Sequence, residues 1–142
     1  TSAAKDIRIK LPGLNVVKSL QNYHKIISNS SSSIHEYFIH DISNKIRSCM
    51  SKFMGTIRSN NLLKQGKHRV NTLHQEILKY CSECDLTVGL INLKNLTLVA
   101  ELMIDSAILR RESRGLHFNL DYKGKSEHFL NPTVLHPASD VN

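Results

Sequence analysis

Leu93-Lys94-Asn95-Leu96-Thr97-Leu98-Val99-Ala100-Glu101-Leu102-Met103-Ile104-Asp105-Ser106-Ala107-Ile108-Leu109-Arg110-Arg111 decides the fold. Leu93, Leu96, Val99, Ala100, Leu102, Met103, Ala107 and Ile108 recur at helical spacings, and the stretch is apolar on more than one face. A helix of that kind is expected to be buried more deeply than its neighbours. Arg110 and Arg111 stand where the helix dipole favours cations, and Gly115 can adopt the left-handed conformation that closes a helix. Upstream, Thr87, Gly89 and Asn92 interrupt the pattern, so the helix is expected to begin at Leu93.

Two further stripes precede it. Ile42, Ile46, Cys49, Met50, Phe53, Met54 and Ile57 repeat every three or four residues, as do Leu62, Leu63, Val70, Leu73, Ile77 and Cys81. The first helix can begin at Ser33, where Glu36 completes a capping box, or at Asp41, with Tyr37-Phe38-Ile39 extended. The second is expected to end near Cys84. Gly55 and Ser59-Asn60-Asn61 separate the two. Three helices with short connections predict an all-α antiparallel bundle with shallow crossings over residues 34–115. Residues 1–33, with Pro12, Gly13 and a serine-rich end, are read as a connector, and residues 116–142, with Pro132 and Pro137, as an irregular tail.

The 142 residues suit one domain, and 40% hydrophobic with 22% charged residues is an ordinary globular balance. Asn92, Lys94, Glu101 and Asp105 break the apolar run from Leu86 to Leu109, so no membrane span is expected. Three cysteines make no disulfide framework, and there is no apolar signal core, which together point to a cytoplasmic setting. The opening Thr1 suggests a cut-out piece. The net charge of +7 is concentrated between Lys45 and Lys79, where Lys45, Arg47, Lys52, Arg58, Lys64, Lys67, Arg69 and Lys79 face a lone acid, Glu76. Such a segment suits an acidic partner, nucleic-acid phosphates or a solvated helix face. With only Phe53 and Tyr80 as aromatics it is a poor stacking platform for single strands, and nucleic acid is the less favoured partner.

Candidate chemistry is sparse. Cys81-Ser82-Glu83-Cys84 has no second pair to complete a zinc site and lies near a helix C-terminus rather than at the N-terminus a redox dithiol needs. The eight histidines make no metal-ligand repeat, so no metal is expected. Glu101, Asp105 and Glu112 align at helical spacing and are expected to pair with the basic segment. No G-x-G-x-x-G, P-loop or G-x-S-x-G occurs, so neither a catalytic residue nor a dinucleotide cradle is expected. One dense cluster remains: Arg110-Arg111-Glu112-Ser113-Arg114-Gly115-Leu116-His117-Phe118-Asn119-Leu120-Asp121-Tyr122. Arginine forks hold carboxylates and carbonyls bidentately, so the cluster reads either as a clamp between structural units or as a salt-bridged helix end.

That cluster resembles the C-terminal signature of the succinate dehydrogenase and fumarate reductase flavoprotein family, and within it the branch that oxidises L-aspartate. Phe53-Met54-Gly55-Thr56-Ile57-Arg58 is similar to the family's first-helix end, Leu93 to Glu101 to the start of its last long helix, and Ser2 to Ile7 to the end of its final flavin-domain helix. Lys123 departs from the family pattern, which usually has proline there. The resemblance implies a spectrin-repeat-like bundle belonging to an FAD-dependent enzyme of NAD biosynthesis. That enzyme would convert L-aspartate to iminoaspartate, with quinolinate synthase as the onward partner. The flavin and catalytic residues would lie outside these 142, leaving a structural piece with Arg111, Glu112, Ser113, Arg114, Gly115, His117 and Asp121 as a clamp onto the flavin domain. A basic nucleic-acid-binding helical module is the alternative.

Overall fold

A computed structural model describes residues 8–9 and 33–137. The Ser2–Ile7 likeness and nearly all of the 1–33 connector lie outside the described residues. Three helices account for the bundle: α1 (Ser33–Phe53), α2 (Asn60–Glu83) and α3 (Val88–Leu109), and each packs on the other two.

Buried residues trace one face of each helix: Ile42, Ile46 and Cys49 on α1; Leu63, Gly66, Val70, Leu73 and Ile77 on α2; Leu90, Leu93, Thr97, Ala100, Ile104 and Ala107 on α3. The alternation of three and four is the spacing that lets side chains of neighbouring helices interdigitate along a seam. As the periodicity predicts, α3 carries the most buried positions. Thr97 joins them because its hydroxyl donates to the Leu93 carbonyl at 2.8 Å, which satisfies the polar group without a partner outside the helix.

The helix boundaries show where local signals prevailed. α1 opens at Ser33, the earlier of the two starts, so Tyr37-Phe38-Ile39 are helical and Phe38 stacks on Tyr80 with ring centroids 3.7 Å apart. α2 ends at Glu83 with Cys84 as its cap, and begins after Ser59, whose Oγ accepts the Leu62 N–H at 3.2 Å. α3 starts earlier than its apolar pattern indicates. Thr87 is its N-cap, accepting the Leu90 N–H at 3.2 Å, so Gly89 and Asn92 lie inside the helix. Gly89 is accommodated because α1 comes close: a Cβ there would sit 2.6 Å from Ile39 Cδ1.

Short strands dress the bundle. β1 (Arg8–Ile9) pairs in parallel with β4 (His136–Pro137), and β2 (Ile57–Arg58) in parallel with β3 (Phe118–Asn119). β2 lies in the α1–α2 connection, so Ile57 belongs to a strand and not to the first helical stripe. A 3-10 turn spans Glu127–Phe129. Among the described residues no helix is long and apolar enough to cross a membrane.

Candidate functional site

The segment that follows α3 is organised around Glu112, which lies three residues beyond the helix and is wholly buried. Its Oε1 accepts from Arg110 Nη1 at 2.6 Å and from Arg114 Nε at 3.0 Å. Its Oε2 accepts from Arg114 Nη2 at 3.1 Å and from the Ser126 N–H at 2.9 Å. Arg114 therefore grips both carboxylate oxygens, the arrangement in which an arginine fork binds best. The Arg114 fork, the Ser126 N–H and then Arg110 outweigh burial and hold the Glu112 carboxyl at about 2.

Arg110 also donates to the carbonyls of Phe129, at 3.0 Å, and Asn131, at 3.1 Å, which draws the 3-10 turn onto the helix end. It serves as a hydrogen-bonding hub more than as a dipole partner. Gly115 is not the closing residue of α3. With φ +59° it makes the turn between Arg114 and His117, whose backbones bond reciprocally at 3.0 and 3.1 Å. Glu112 lies off the helix and pairs with local arginines. Asp105 and Glu101 do reach α2, pairing with Lys67 and with His74 Nδ1 (2.6 Å) respectively. The partner of Glu101 is thus an imidazole and not a lysine or arginine.

His117 joins the turn to the α1–α2 connection. Arg58 Nη1 donates to its Nδ1 at 2.6 Å, while Arg58 also donates to the Gly55 and Met54 carbonyls. A guanidinium can only donate and a carbonyl can only accept, so Nδ1 is bare and Nε2 carries the proton that meets the Arg110 carbonyl at 3.0 Å. The imidazole is neutral, and burial pushes its pKa down, helped by the charges of Arg58 and Arg110. Burial likewise lowers the pKa of Arg58, which has no carboxylate partner among the described residues.

Ser113 and Asp121 complete the assembly. The Ser113 hydroxyl accepts the Asn119 N–H at 2.9 Å and donates to the Tyr122 carbonyl at 2.6 Å. Asp121 Oδ2 accepts the Asn60 N–H at 2.6 Å, adding an acidic partner at the positive end of α2. Asn60 Nδ2 donates to the Tyr122 hydroxyl. Asn119 is buried, and its Nδ2 has no partner among the described residues. Of the seven residues picked out by sequence, Glu112, Ser113, Arg114, His117 and Asp121 are bonded within the chain, Gly115 shapes the turn, and Arg111 is exposed. Arg58, Arg110, Asn60 and Asn119 complete the network. Arg58, Arg110 and Asn119 were visible inside the quoted motifs, but nothing local announced whom they would meet.

Outside this network an apolar strip faces outward: Leu116 at 80% exposure, Ile57 at 62% and Phe118 at 40%, with Ile57 and Phe118 opposite each other in the β2–β3 pair. The donors of this network are engaged within the chain. Arg110 and Arg114 are spent on Glu112, Arg58 on His117 and carbonyls, and both N–H groups flanking the Gly115 turn face their own backbone.

A family model described as the fumarate reductase flavoprotein C-terminus matches residues 43–142. The chain belongs to that family. It is 37% identical over 136 residues to an L-aspartate oxidase of Yersinia pestis, covering 96% of this chain and 25% of that protein. An L-aspartate oxidase of Pseudomonas aeruginosa is 41% identical over 121 residues, 85% of this chain and 22% of that protein. A chloroplastic L-aspartate oxidase of Oryza sativa is 31% identical over 99 residues, 66% of this chain and 15% of that protein. The chain thus spans about a quarter of the length of the bacterial relatives, and its membership of the family covers both the bundle and the Glu112 network.

Proposed function

We propose that this chain is the C-terminal helical domain of an FAD-dependent L-aspartate oxidase, and that its role there is structural. The oxidation of L-aspartate to iminoaspartate, the FAD and the catalytic residues belong to the flavin-bearing remainder of the enzyme. Quinolinate synthase takes the product in the cytoplasm for NAD biosynthesis. Residues 34–115 form the bundle, 1–33 lead in from the flavin domain, and 116–142 form the tail.

The observation that carries this reading is the exposed strip of Leu116, Ile57 and Phe118, which belong to the Gly115 turn and the β2–β3 pair that the Arg58–His117 bond ties together. Glu112, Ser113, Arg114, His117 and Asp121 clamp the flavin domain by presenting that strip, with Arg111 beside it and Gly115 setting the turn. Burying apolar side chains against a second surface is the main driving force of domain docking. The test is Leu116→Asp in the full-length enzyme and in the 142-residue chain. Flavin content and aspartate oxidation should fall in the former, while the melting temperature of the latter stays unchanged. Full flavin retention and activity would reject the docking role.

A further inference from the structure

An open groove of about 610 Å³ lies between α1 and α2, on basic surface that the proposed docking does not use. Asp41, Lys45, Lys52, His68 and Arg69 line it, over Cys49 and Phe53. Its charges are unevenly matched. Lys45 is paired with Asp41 at 2.6 Å. Lys52 Nζ instead stands over the Phe53 ring, 5.1 Å from the centroid, and neither Lys52 nor Arg69 has an ion-pair partner among the described residues. Two cations from two different helices therefore line one concavity whose one lining carboxylate, Asp41, is already paired with Lys45.

We propose that this groove binds a small phosphorylated anion, with the Arg69 fork and the Lys52 ammonium on its phosphoryl oxygens. A guanidinium offers paired donors that match phosphoryl oxygens, an ammonium adds a point charge, and Ser48, which also lines the groove, offers a hydroxyl donor. Cys49 and the Phe53 ring give an apolar floor for the body of the ligand, and the volume lies within the roughly 300–1,000 Å³ usual for small-molecule sites. The field of Arg69 reaches into the groove: it opposes the burial that raises the Cys49 thiol pKa, and it opposes the Asp41 hydrogen bond that raises that of Lys45.

Inorganic pyrophosphate is the probe, titrated into the 142-residue chain at about 150 mM salt, where exposed charges more than about 8 Å apart are screened. Backbone NMR shifts should saturate and be confined to Ser48, Lys52, Phe53 and Arg69. Lys52→Ala and Arg69→Ala should each weaken binding by about tenfold or more, the loss of one charge-assisted contact. Arg69→Lys, which keeps the charge and the fold but loses the fork, should also weaken it. Shifts that rise linearly and spread to Lys64, Lys67 and Lys79, or an affinity indifferent to Arg69→Lys, would overturn the site. So would displacement of pyrophosphate by a glutamate-rich peptide of equal charge at lower concentration, which would assign the groove to an acidic protein.

Discussion

Gly66 lets α2 approach the end of α1 and offers a sharp test of the packing. A Cβ added there would lie 2.8 Å from Phe53 Cβ, 3.4 Å from Phe53 Cγ and 3.7 Å from Ile104 Cδ1. Phe53 Cβ is fixed to the backbone at the end of α1, so no rotamer change relieves the first contact and the helices must part. Overpacking of this kind costs about 1–3 kcal/mol. Alanine in a helix interior recovers about 1 kcal/mol relative to glycine. Gly66→Ala should therefore destabilise the chain by about 0–2 kcal/mol, lowering the melting temperature by at most several degrees. Gly89→Ala is the control. Its Cβ would come closest to the Cδ1 tip of Ile39, which can rotate away, with Ile39 Cγ1 and Thr87 Oγ1 at an ordinary 3.8 Å, so stability should hold or rise. Urea melts followed by circular dichroism measure both. A Gly66→Ala protein more stable than the unsubstituted chain would refute the close approach.

Ile77→Ala, at a fully buried position facing the other helices, should cost about 2–5 kcal/mol in the same melts. The Glu112 carboxyl lies at about 2 in the folded chain against 4.5 when unperturbed, so its contribution is complete above about 4.5 and is lost as pH falls towards 2. Glu112→Gln should be less stable at pH 7 and should flatten acid unfolding across that window. His117 has a lowered pKa, so the stability it contributes is present above its ordinary 6.5 and declines as pH falls. NMR should show its Nε2–H neutral tautomer at pH 7. Random duplex DNA at about 150 mM salt should bind no more tightly than about 10⁻⁴ M; micromolar affinity with a steep salt slope would favour the nucleic-acid module.

The helices were legible because their burial is periodic. Ile42, Ile46 and Cys49, or Val70, Leu73 and Ile77, announce a helix face in any order of packing. The start of α3 was not, because Gly89 and Asn92 are poor helix formers locally, and it is the Thr87 cap and the packing of Gly89 against Ile39 that extend the helix over them. The cluster after α3 was recognisable as a unit, yet its wiring was hidden. His117 meets Arg58 across 59 positions and Asp121 meets Asn60 across 61. Ser126 contributes through its backbone, which leaves no trace in residue type. The sequence leaves Arg110 at the dipole and the Arg114 cluster with two readings, an interdomain clamp and a salt-bridged helix end. What distinguished them was the burial of Glu112, a property of the folded chain.

A structure of the full-length enzyme tests the central claim most directly, through the exposure of Leu116, Ile57 and Phe118. These three are expected to be buried against the flavin domain, with the Arg114–Glu112 fork unchanged behind them. A strip still facing solvent, with the flavin domain seated elsewhere on the bundle, would contradict the docking account.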